Sequence, residues 1–460
     1  MKKARCGQLI VPENRHRADS PKIRLSVTIV AAASVQKKSD PIVWLAGGPG
    51  DDAITEIPMA TSGKLNADRD VIFMSQRGTY TAQPRLACPT VDRWTEDTLN
   101  MPADSDAAGK AYSVATLECR RELAAKTSDL GAYNTLESAA DYDDLRVALH
   151  IAKWNLYGIS YGTDVALTYL RDLPGGIRSV AIDGVFPPSL AGGGAAWTSA
   201  GEGINAVFDA CRRQAPCRKR YGDIGATFRR LVSQYEASPK TVTVAVPGQS
   251  GKVSVKISGG MLLQWTVSPG THLAAKVPAA IDALAHGNPA PIASTWAALR
   301  TGAGNIGVLG NGLFYGVTCG EWVPYETEQS VVAAGRRAFP TFPASVLRNG
   351  TLPFMRENCR DWNVPAVSPL VRAATQSRLP VLVINSQYDA QTAASFGSYV
   401  AKNLPNSVVV TIPNVAHVAF GSPSAAANAC AYAITRSFFT ALTKADTSCV
   451  RKVPPTKFEL

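Results

Sequence analysis

The chain has 460 residues, of which 46% are hydrophobic and 18% are charged, and its formal net charge is +11. This composition is typical of globular proteins and excludes an intrinsically disordered chain. No apolar run reaches the roughly 18 residues that a membrane-spanning helix requires. No nucleic-acid-binding motif accompanies the scattered basic residues. We therefore expect neither a membrane span nor a nucleic-acid partner.

Strand-like apolar runs alternate with helical patterns over the first part of the chain. The predicted strands lie at residues 23–33, 42–45, 71–74, 155–159 and 177–183. One predicted helix begins at the cap residue Asn134, with Glu137 completing the capping pattern, and runs to about Ile151; another runs from Asp164 to Leu173. This alternation predicts an α/β fold with a mostly parallel sheet and helices on both faces.

The pattern changes at Phe186-Pro187-Pro188. From there to about Pro365 it is helical, apart from a predicted hairpin at residues 242–257 around the turn Gly248-Gln249-Ser250-Gly251. No alternation of strands and helices is visible in this stretch. It therefore has the character of an insertion into the α/β sheet.

The sheet pattern then returns in the last part of the chain. Strands are predicted at residues 381–385 and 408–412, and a closing helix at 424–442. We therefore predict an α/β core formed by residues 1–186 and 366–460. A large, mainly helical cap at 187–365 follows the sixth strand and lies over the carboxyl edge of the sheet, where such folds hold their sites. The proline-containing tail at 451–460 is expected to be mobile.

Nine cysteines bear on the cellular compartment, and no C-x-x-C pair suggests zinc or redox chemistry. Cys211 and Cys217 bracket a short loop, and Cys430 and Cys449 bracket the last helix. Local pairs of this kind favour disulfides and an oxidising compartment. We expect a secreted or periplasmic protein in its mature form, without a signal peptide. The alternative is a cytoplasmic protein whose thiols are buried and free.

Ser160 lies in a short glycine-flanked motif directly after a predicted strand. Gly158-Ile159-Ser160-Tyr161-Gly162 matches G-x-S-x-G, the sharp strand-to-helix turn that exposes a nucleophilic serine. The crowding of that turn requires glycine on both sides of the serine. The motif alone is common, so the prediction depends on partners elsewhere in the chain.

A nucleophilic serine needs a histidine base and an acid that orients the histidine, here expected in the order Ser, acid, His. Of five histidines, only His417 follows the last predicted strand on a loop. Asp389 follows the preceding strand and is the favoured acid. Asp183, at the end of an earlier strand, is the rival. A neutral His417 would act as the base, so activity should fall in acid.

A glycine-rich loop after an early strand predicts an oxyanion hole. Ala46-Gly47-Gly48-Pro49-Gly50 lets the backbone approach a substrate carbonyl, and the N–H groups of Gly48 and Tyr161 are the predicted donors. The same loop resembles a dinucleotide-binding fingerprint. Asp51 and Asp52 would repel a pyrophosphate there, and Pro49 lacks a donor. No metal-binding motif is present, and we expect neither a metal nor a cofactor.

In chain order, the sequence contains the stretches LAGGPG, SQRGTYTAQPRLACP, NLYGISYGT, VAIDGVFPP, QYD and NVAH, which cover nearly the whole chain. Together they resemble the prolyl iminopeptidase and tripeptidyl aminopeptidase branch of the α/β-hydrolases, the TAP-like group of peptidase family S33. The resemblance implies a triad of Ser160, Asp389 and His417, oxyanion donors at Gly48 and Tyr161, and no cofactor. The chain departs from the family at Ala46, Ser75, Tyr80 and Asp51-Asp52.

Secreted members of this group carry several disulfides. The resemblance implies the pairs Cys88–Cys119, Cys211–Cys217, Cys319–Cys359 and Cys430–Cys449. Cys6 is then left without a partner in the chain.

The resemblance also implies serine hydrolysis of peptides from a free N-terminus, or of esters. An aminopeptidase needs an acid for the substrate's ammonium group, and Glu321, Glu202, Asp51 and Asp52 are the candidates. An esterase needs only an apolar acyl pocket. Aromatic residues predicted to build such a pocket are Trp265, Trp296, Phe314 and Trp322. A non-catalytic binding module is the remote alternative. The expected partner is a small molecule or short peptide, and a monomer is expected.

Overall fold

A computed structural model describes residues 4–190, 192–270, 272–301, 306–350 and 352–460 of the chain. The described strands are β1 (Ala4–Pro12), β2 (Lys22–Val30), β3 (Ile42–Leu45), β4 (Val71–Met74), β5 (Trp154–Ile159), β6 (Ile177–Asp183), β7 (Lys240–Ala245), β8 (Lys252–Ile257), β9 (Val381–Ser386) and β10 (Ser407–Ile412). The described α-helices are α1 (Ile57–Ser62), α2 (Pro89–Asp97), α3 (Asp106–Ala124), α4 (Thr135–Ala148), α5 (Tyr161–Asp172), α6 (Gly193–Arg213), α7 (Ala215–Tyr221), α8 (Ile224–Ala237), α9 (Gly259–Trp265), α10 (Val277–Ala285), α11 (Ala290–Arg300), α12 (Asn311–Val317), α13 (Glu328–Ala338), α14 (Ala344–Asn349), α15 (Met355–Trp362), α16 (Ala394–Ala401) and α17 (Ala425–Ala441).

Eight of these strands form one sheet in the order β1-β2-β4-β3-β5-β6-β9-β10. β1, β2 and β4 pair antiparallel, and the pairs from β4 across to β10 are parallel. Every residue of β3, β4 and β5 is buried, because helices cover both faces of a parallel sheet. The predicted α/β-hydrolase fold is confirmed.

Two elements at the ends of the chain differ from expectation. β1 was not predicted. Its first five residues are all exposed, so the alternation of buried and exposed side chains is visible only in its second half; an antiparallel edge strand needs only one buried face.

The C-terminal tail is packed rather than mobile. Phe458 is buried, the Glu459 N–H donates to the Ala275 carbonyl at 2.9 Å, and the Tyr221 hydroxyl donates to the Glu459 carbonyl at 2.8 Å.

The chain between β6 and β9 leaves the sheet. It forms helices α6 to α15 and the predicted hairpin, β7 with β8. Most of it packs around its own apolar cluster, which includes Trp197, Phe228 and Trp265. Helices α12 and α15 instead join the core beneath the sheet through Tyr315 and Trp362. The insertion therefore shares packing with the sheet, and the boundaries predicted at 187 and 365 stay a prediction.

All nine cysteines lie in described residues. The structure contains the four predicted pairs, Cys88–Cys119, Cys211–Cys217, Cys319–Cys359 and Cys430–Cys449, and leaves Cys6 free and exposed. Disulfides of this density are typical of oxidising compartments and indicate an extracellular or periplasmic location. Among the described helices, none combines the length and the apolar character needed to cross a bilayer.

Candidate active site

Ser160 lies at the sharp turn between β5 and α5. Its backbone is in the left-handed region, with φ 50° and ψ −126°, a strained conformation for a residue with a side chain. A Cβ on Gly158 would lie 2.4 Å from the Gly162 carbonyl oxygen, and one on Gly162 would lie 2.1 Å from the Leu45 carbonyl oxygen. Glycine is therefore required at both positions by the close approach of β3, β5 and α5.

A chain of hydrogen bonds joins three side chains from distant parts of the sequence. The Ser160 Oγ lies 2.9 Å from the His417 Nε2, and the His417 Nδ1 lies 2.9 Å from the Asp389 Oδ2. Asp389 follows β9 and His417 follows β10, so the carboxyl ends of neighbouring parallel strands bring them together. This is the relative placement that a serine nucleophile, its base and the orienting acid require.

Asp389 is held by more than the histidine. Its Oδ1 accepts hydrogen bonds from the N–H groups of Gln391 and Thr392, and its Oδ2 accepts one from the Thr392 hydroxyl at 2.7 Å. Burial alone would raise the pKa of Asp389, but His417 and these hydrogen bonds outweigh it and hold the pKa below its usual value. Asp389 is therefore an anion when His417 becomes charged. Sequence reasoning missed Thr392, although its position three residues after Asp389 is that of a turn-forming hydroxyl.

Asp183, the rival acid, occupies a different position. Its two oxygens accept hydrogen bonds from the N–H groups of Ala419 at 3.0 Å and Phe420 at 2.8 Å. These residues lie two and three positions after His417 on the same loop. Burial raises the pKa of Asp183 to about 6, against these two hydrogen bonds, which lower it. Asp183 holds the loop that carries His417 and has no hydrogen bond to the histidine ring among the described contacts.

The glycine-rich loop after β3 lies directly beside the serine. A Cβ on Gly47 would lie 3.0 Å from the Ser160 Cβ, and Gly48 has a φ of +104°. The loop is also bonded to the insertion, because the Gly310 N–H donates to the Gly50 carbonyl at 2.9 Å. Gly48 and Tyr161 both face the cavity above Ser160.

The two aspartates of this loop have different environments. Asp52 is buried, and its Oδ2 accepts from the N–H and the hydroxyl of Thr81. Asp51 has an exposed side chain, yet the protein around it and the neighbouring Asp52 raise its pKa against the effect of His417. Asp52 thus has a structural role, whereas Asp51 lies beside the site.

A cavity of about 490 Å³ opens above Ser160, within the range of small-ligand sites. Its walls are mostly apolar and come largely from the insertion. Of the aromatic residues predicted there, Trp296, Phe314 and Trp322 line it. Trp265 does not: it is buried in the insertion's own core, and its indole N–H donates to the Thr295 hydroxyl at 2.8 Å.

A second cavity, of about 500 Å³, lies on the other side of His417. Glu56, His272, Lys276 and Asn414 are among its polar lining residues. Burial and the neighbouring Asp51 raise the pKa of Glu56 to about 8, even though the Trp44 indole N–H donates to its carboxylate. His417 therefore lines this second cavity, whereas Ser160 lines the first.

Comparison with known proteins points to one family. Residues 346–449 match the family described as TAP-like protein. The serine protease Hip1 of Mycobacterium tuberculosis is 22% identical over 428 residues, covering 88% of this chain and 80% of that protein. The tripeptidyl aminopeptidase of Streptomyces lividans is 24% identical over 204 residues, covering 41% of this chain and 36% of that protein. A solved proline iminopeptidase of Mycobacterium smegmatis matches with a TM-score of 0.39 and 15% identity, over 89% of this chain and 91% of that chain. The family match and these two relatives support an assignment to the TAP-like α/β-hydrolases.

Neither glutamate predicted to bind substrate lies on the cavity wall. Glu321 is buried behind Tyr161, and both of its oxygens accept hydrogen bonds from Thr135, at 2.6 and 2.7 Å. Burial raises the pKa of Glu321 to about 7, against the hydrogen bonds from Thr135. The Thr135 hydroxyl also lies 2.9 Å from the Tyr161 hydroxyl. Glu321 thus supports the residue that follows the nucleophile.

Glu202 lies on the outer surface of the protein. It is exposed, and its carboxylate accepts from the N–H and the hydroxyl of Ser395. The charged residues that do line the cavity above Ser160 are Asp92, Glu96 and Arg300. Sequence reasoning missed all three, because nothing in their local patterns distinguishes them from surface charges on α2 and α11.

Proposed function

We propose that Ser160 is the nucleophile, His417 the general base and Asp389 the acid that orients His417. The observation that carries this proposal is the unbroken hydrogen-bonded chain from Asp389 through His417 to Ser160, opening directly into a cavity. Gly48 and Tyr161 are the proposed oxyanion donors, because their backbones adjoin the serine on two sides. The roles of these five residues follow from general serine hydrolase chemistry.

The proposed reaction has two halves. His417 Nε2 takes the proton as Ser160 Oγ attacks the substrate carbonyl, and the N–H groups of Gly48 and Tyr161 stabilise the oxyanion. The carbonyl carbon then expels the amine or alcohol, which takes the proton from His417. Water, deprotonated by His417, attacks the acyl-enzyme and releases the acid and free Ser160.

The proposed substrate is a short peptide with a free N-terminus. Asp92 and Glu96 line the same cavity as Ser160, and either carboxylate could bind a substrate's ammonium group. Glu96 is the better candidate, since the Asp92 carboxylate already accepts from the Gly307 N–H at 2.5 Å. The name of the tripeptidyl aminopeptidase supports the same class. Residues 187–365 would act as the cap that encloses the acyl group.

Carboxylesterase activity is the second candidate. The apolar part of the cavity wall, which includes Trp296, Leu299, Phe314 and Trp322, would accept a hydrophobic acyl chain without any charged contact. An esterase of this kind would use the same serine, histidine and aspartate. The two candidates therefore differ only in what the cavity recognises.

One panel of chromogenic substrates separates these candidates. Wild type and Ser160→Ala are compared on prolyl, alanyl and tripeptidyl anilides with a free amine, on the same anilides with a blocked amine, and on short acyl esters. We expect wild type to cleave free-amine anilides and Ser160→Ala to lose essentially all turnover, because the acyl-enzyme cannot form.

Two results would change the conclusion. Cleavage of esters alone would assign a carboxylesterase and would leave Glu96 as a surface charge. Activity in Ser160→Ala equal to that of wild type would exclude Ser160 as the nucleophile. Glu96→Gln is the companion variant, and we expect it to raise KM for free-amine substrates while leaving blocked ones unchanged.

A further inference from the structure

Arg300 is the cation on the wall of the cavity that holds Ser160. It ends α11, is partly buried, and lines this cavity together with Gln264 and Trp296. Its guanidinium carbon lies 4.2 Å from the centre of the Trp296 ring. Stacking of this kind fixes the plane of the guanidinium and therefore the directions of its donors.

The hydrogen bonds of Arg300 are incomplete. One terminal nitrogen donates to the Gln264 Oε1 at 3.1 Å, while the Nε is buried and has no hydrogen-bond partner among the described residues. Gln264 is itself nine-tenths buried, and its amide nitrogen is also without a partner there. Two unsatisfied buried groups thus lie side by side, and both are donors.

No carboxylate in the described parts of the chain lies within ion-pair distance of Arg300. Asp92 is bonded to the Gly307 N–H, and Glu96 is exposed. Lys256 lines a small recess next to the cavity together with Arg300 and adds a second positive charge. Burial lowers the pKa of Arg300 to about 10, and the nearby Tyr112 hydroxyl offsets this effect only in part.

A partly buried cation without a counter-ion is costly, and so is each unsatisfied buried donor. An anion with two acceptor oxygens would remove all of these costs at once, because a carboxylate accepts well from an arginine fork and a neighbouring amide. Water would satisfy the donors but not the charge. The arrangement is therefore complementary to a carboxylate that comes from outside the protein.

We infer that Arg300 and Gln264 form a subsite for a carboxylate on the acyl part of the substrate. This inference rests on the proposed function and specifies it further: the preferred peptides carry Asp or Glu in the segment released from the N-terminus. Glu96 binds the ammonium group and Arg300 binds the acidic side chain, so the cavity recognises opposite charges at two points. Arg300 is a specificity residue and takes no part in the bond-making steps.

The test uses matched substrates that differ only in charge. Free-amine tripeptidyl anilides with Glu or Gln at each acyl position are compared, together with nitrophenyl esters of succinate and butyrate. For wild type we expect kcat/KM to favour the charged member of at least one pair about 10- to 100-fold, from one set of charge-assisted hydrogen bonds.

Three variants test the role of the guanidinium. Arg300→Gln should abolish the preference by raising KM for the charged substrate, while kcat on the neutral one stays near wild type. Arg300→Lys should keep part of it, since the charge remains but the fork is lost. Gln264→Glu leaves Arg300 in place and supplies an internal carboxylate, so it should remove the preference as well. Thermal midpoints of all three are measured as a control for folding.

The inference is overturned if wild type does not discriminate within any pair, or if Arg300→Gln slows charged and neutral substrates equally. A preference that appears only in Glu96→Gln would mean that Glu96 already neutralises Arg300, and would overturn it too. Failure of the proposed function looks different: the anilides are then not cleaved at all. The ester pair still tests Arg300 in that case.

Discussion

His417 is the titratable group on which the proposed chemistry depends. Burial lowers its pKa, but Asp389 raises it through its charge and its hydrogen bond, and Asp183 and Asp51 act in the same direction. The net effect is a pKa above the ordinary 6.5. The proton on the ring is thus stabilised by three carboxylates, of which only Asp389 touches it. A base that must be neutral to accept a proton will work only above this raised pKa.

The first prediction concerns pH. We expect kcat/KM to rise with pH along a limb whose apparent pKa lies above 6.5, the ordinary histidine value. In Asp389→Asn the main stabilising charge is lost, so the limb should move to lower pH. In addition, kcat should fall by about 10,000-fold, because the ring is no longer held in the working tautomer. Steady-state rates across pH measure both effects.

Glu202→Gln is the matched control for this prediction, because it removes an exposed carboxylate that contacts only Ser395. Its pH profile should overlay that of wild type. A limb that stays in place in Asp389→Asn would contradict the assignment of Asp389 as the acid.

At the scale of elements, the turn from β5 to α5 determines where the nucleophile lies. β3 and α5 approach so closely that the Leu45 carbonyl would meet any side chain at Gly162. The helix can begin only one residue after Ser160, at Tyr161. This approach also places the loop after β3 next to the serine, so the oxyanion donors and the nucleophile depend on the same contact.

The second prediction follows from that contact. Gly162→Ala would place a Cβ 2.1 Å from the Leu45 carbonyl oxygen, and either β3 or α5 must shift. We expect the free energy of unfolding to fall by about 1–3 kcal/mol, as for other overpacked sites. We also expect kcat to fall more than KM rises, because the shift separates the oxyanion donors from Ser160. Denaturant unfolding and steady-state kinetics measure the two effects.

Gly175→Ala is the control for this variant, since a Cβ there meets nothing within 4 Å. It should leave stability and turnover close to wild type. Equal effects of the two substitutions would mean that loss of glycine flexibility, rather than the contact with β3, is responsible.

At the scale of the whole molecule, four disulfides connect residues that are close in sequence. The loops they close span from 6 residues, at Cys211–Cys217, to 40 residues, at Cys319–Cys359. Two of the pairs lie in the insertion and two in the parts of the chain around the sheet. They restrain local pieces, whereas the insertion and the sheet are held together by shared apolar packing through α12 and α15.

The third prediction concerns thiols. The unfolded, unreduced chain should show one reactive thiol, Cys6, and the reduced chain should show nine. Reduction should lower the thermal midpoint, because each lost disulfide typically costs about 2–4 kcal/mol. Cys6→Ser should remove the single thiol without changing the midpoint. Three or more thiols before reduction would contradict the pairing.

Local sequence patterns determined a large part of this protein. The G-x-S-x-G motif, the cap at Asn134, the strands of the sheet and the order of Ser160, Asp389 and His417 could all be predicted, because each depends on residues within one element or on the fixed direction of parallel strands. The edge strand β1 could not be predicted, since the alternation of buried and exposed side chains is absent from its exposed first half.

The wall of the cavity was decided by the tertiary structure alone. Asp92 and Arg300 lie more than two hundred residues apart in the chain yet line one cavity, while Glu321 and Glu202 face away from it. The charges that can meet a substrate depend on how α2 packs against α11. The sequence pattern within either helix does not reveal this packing.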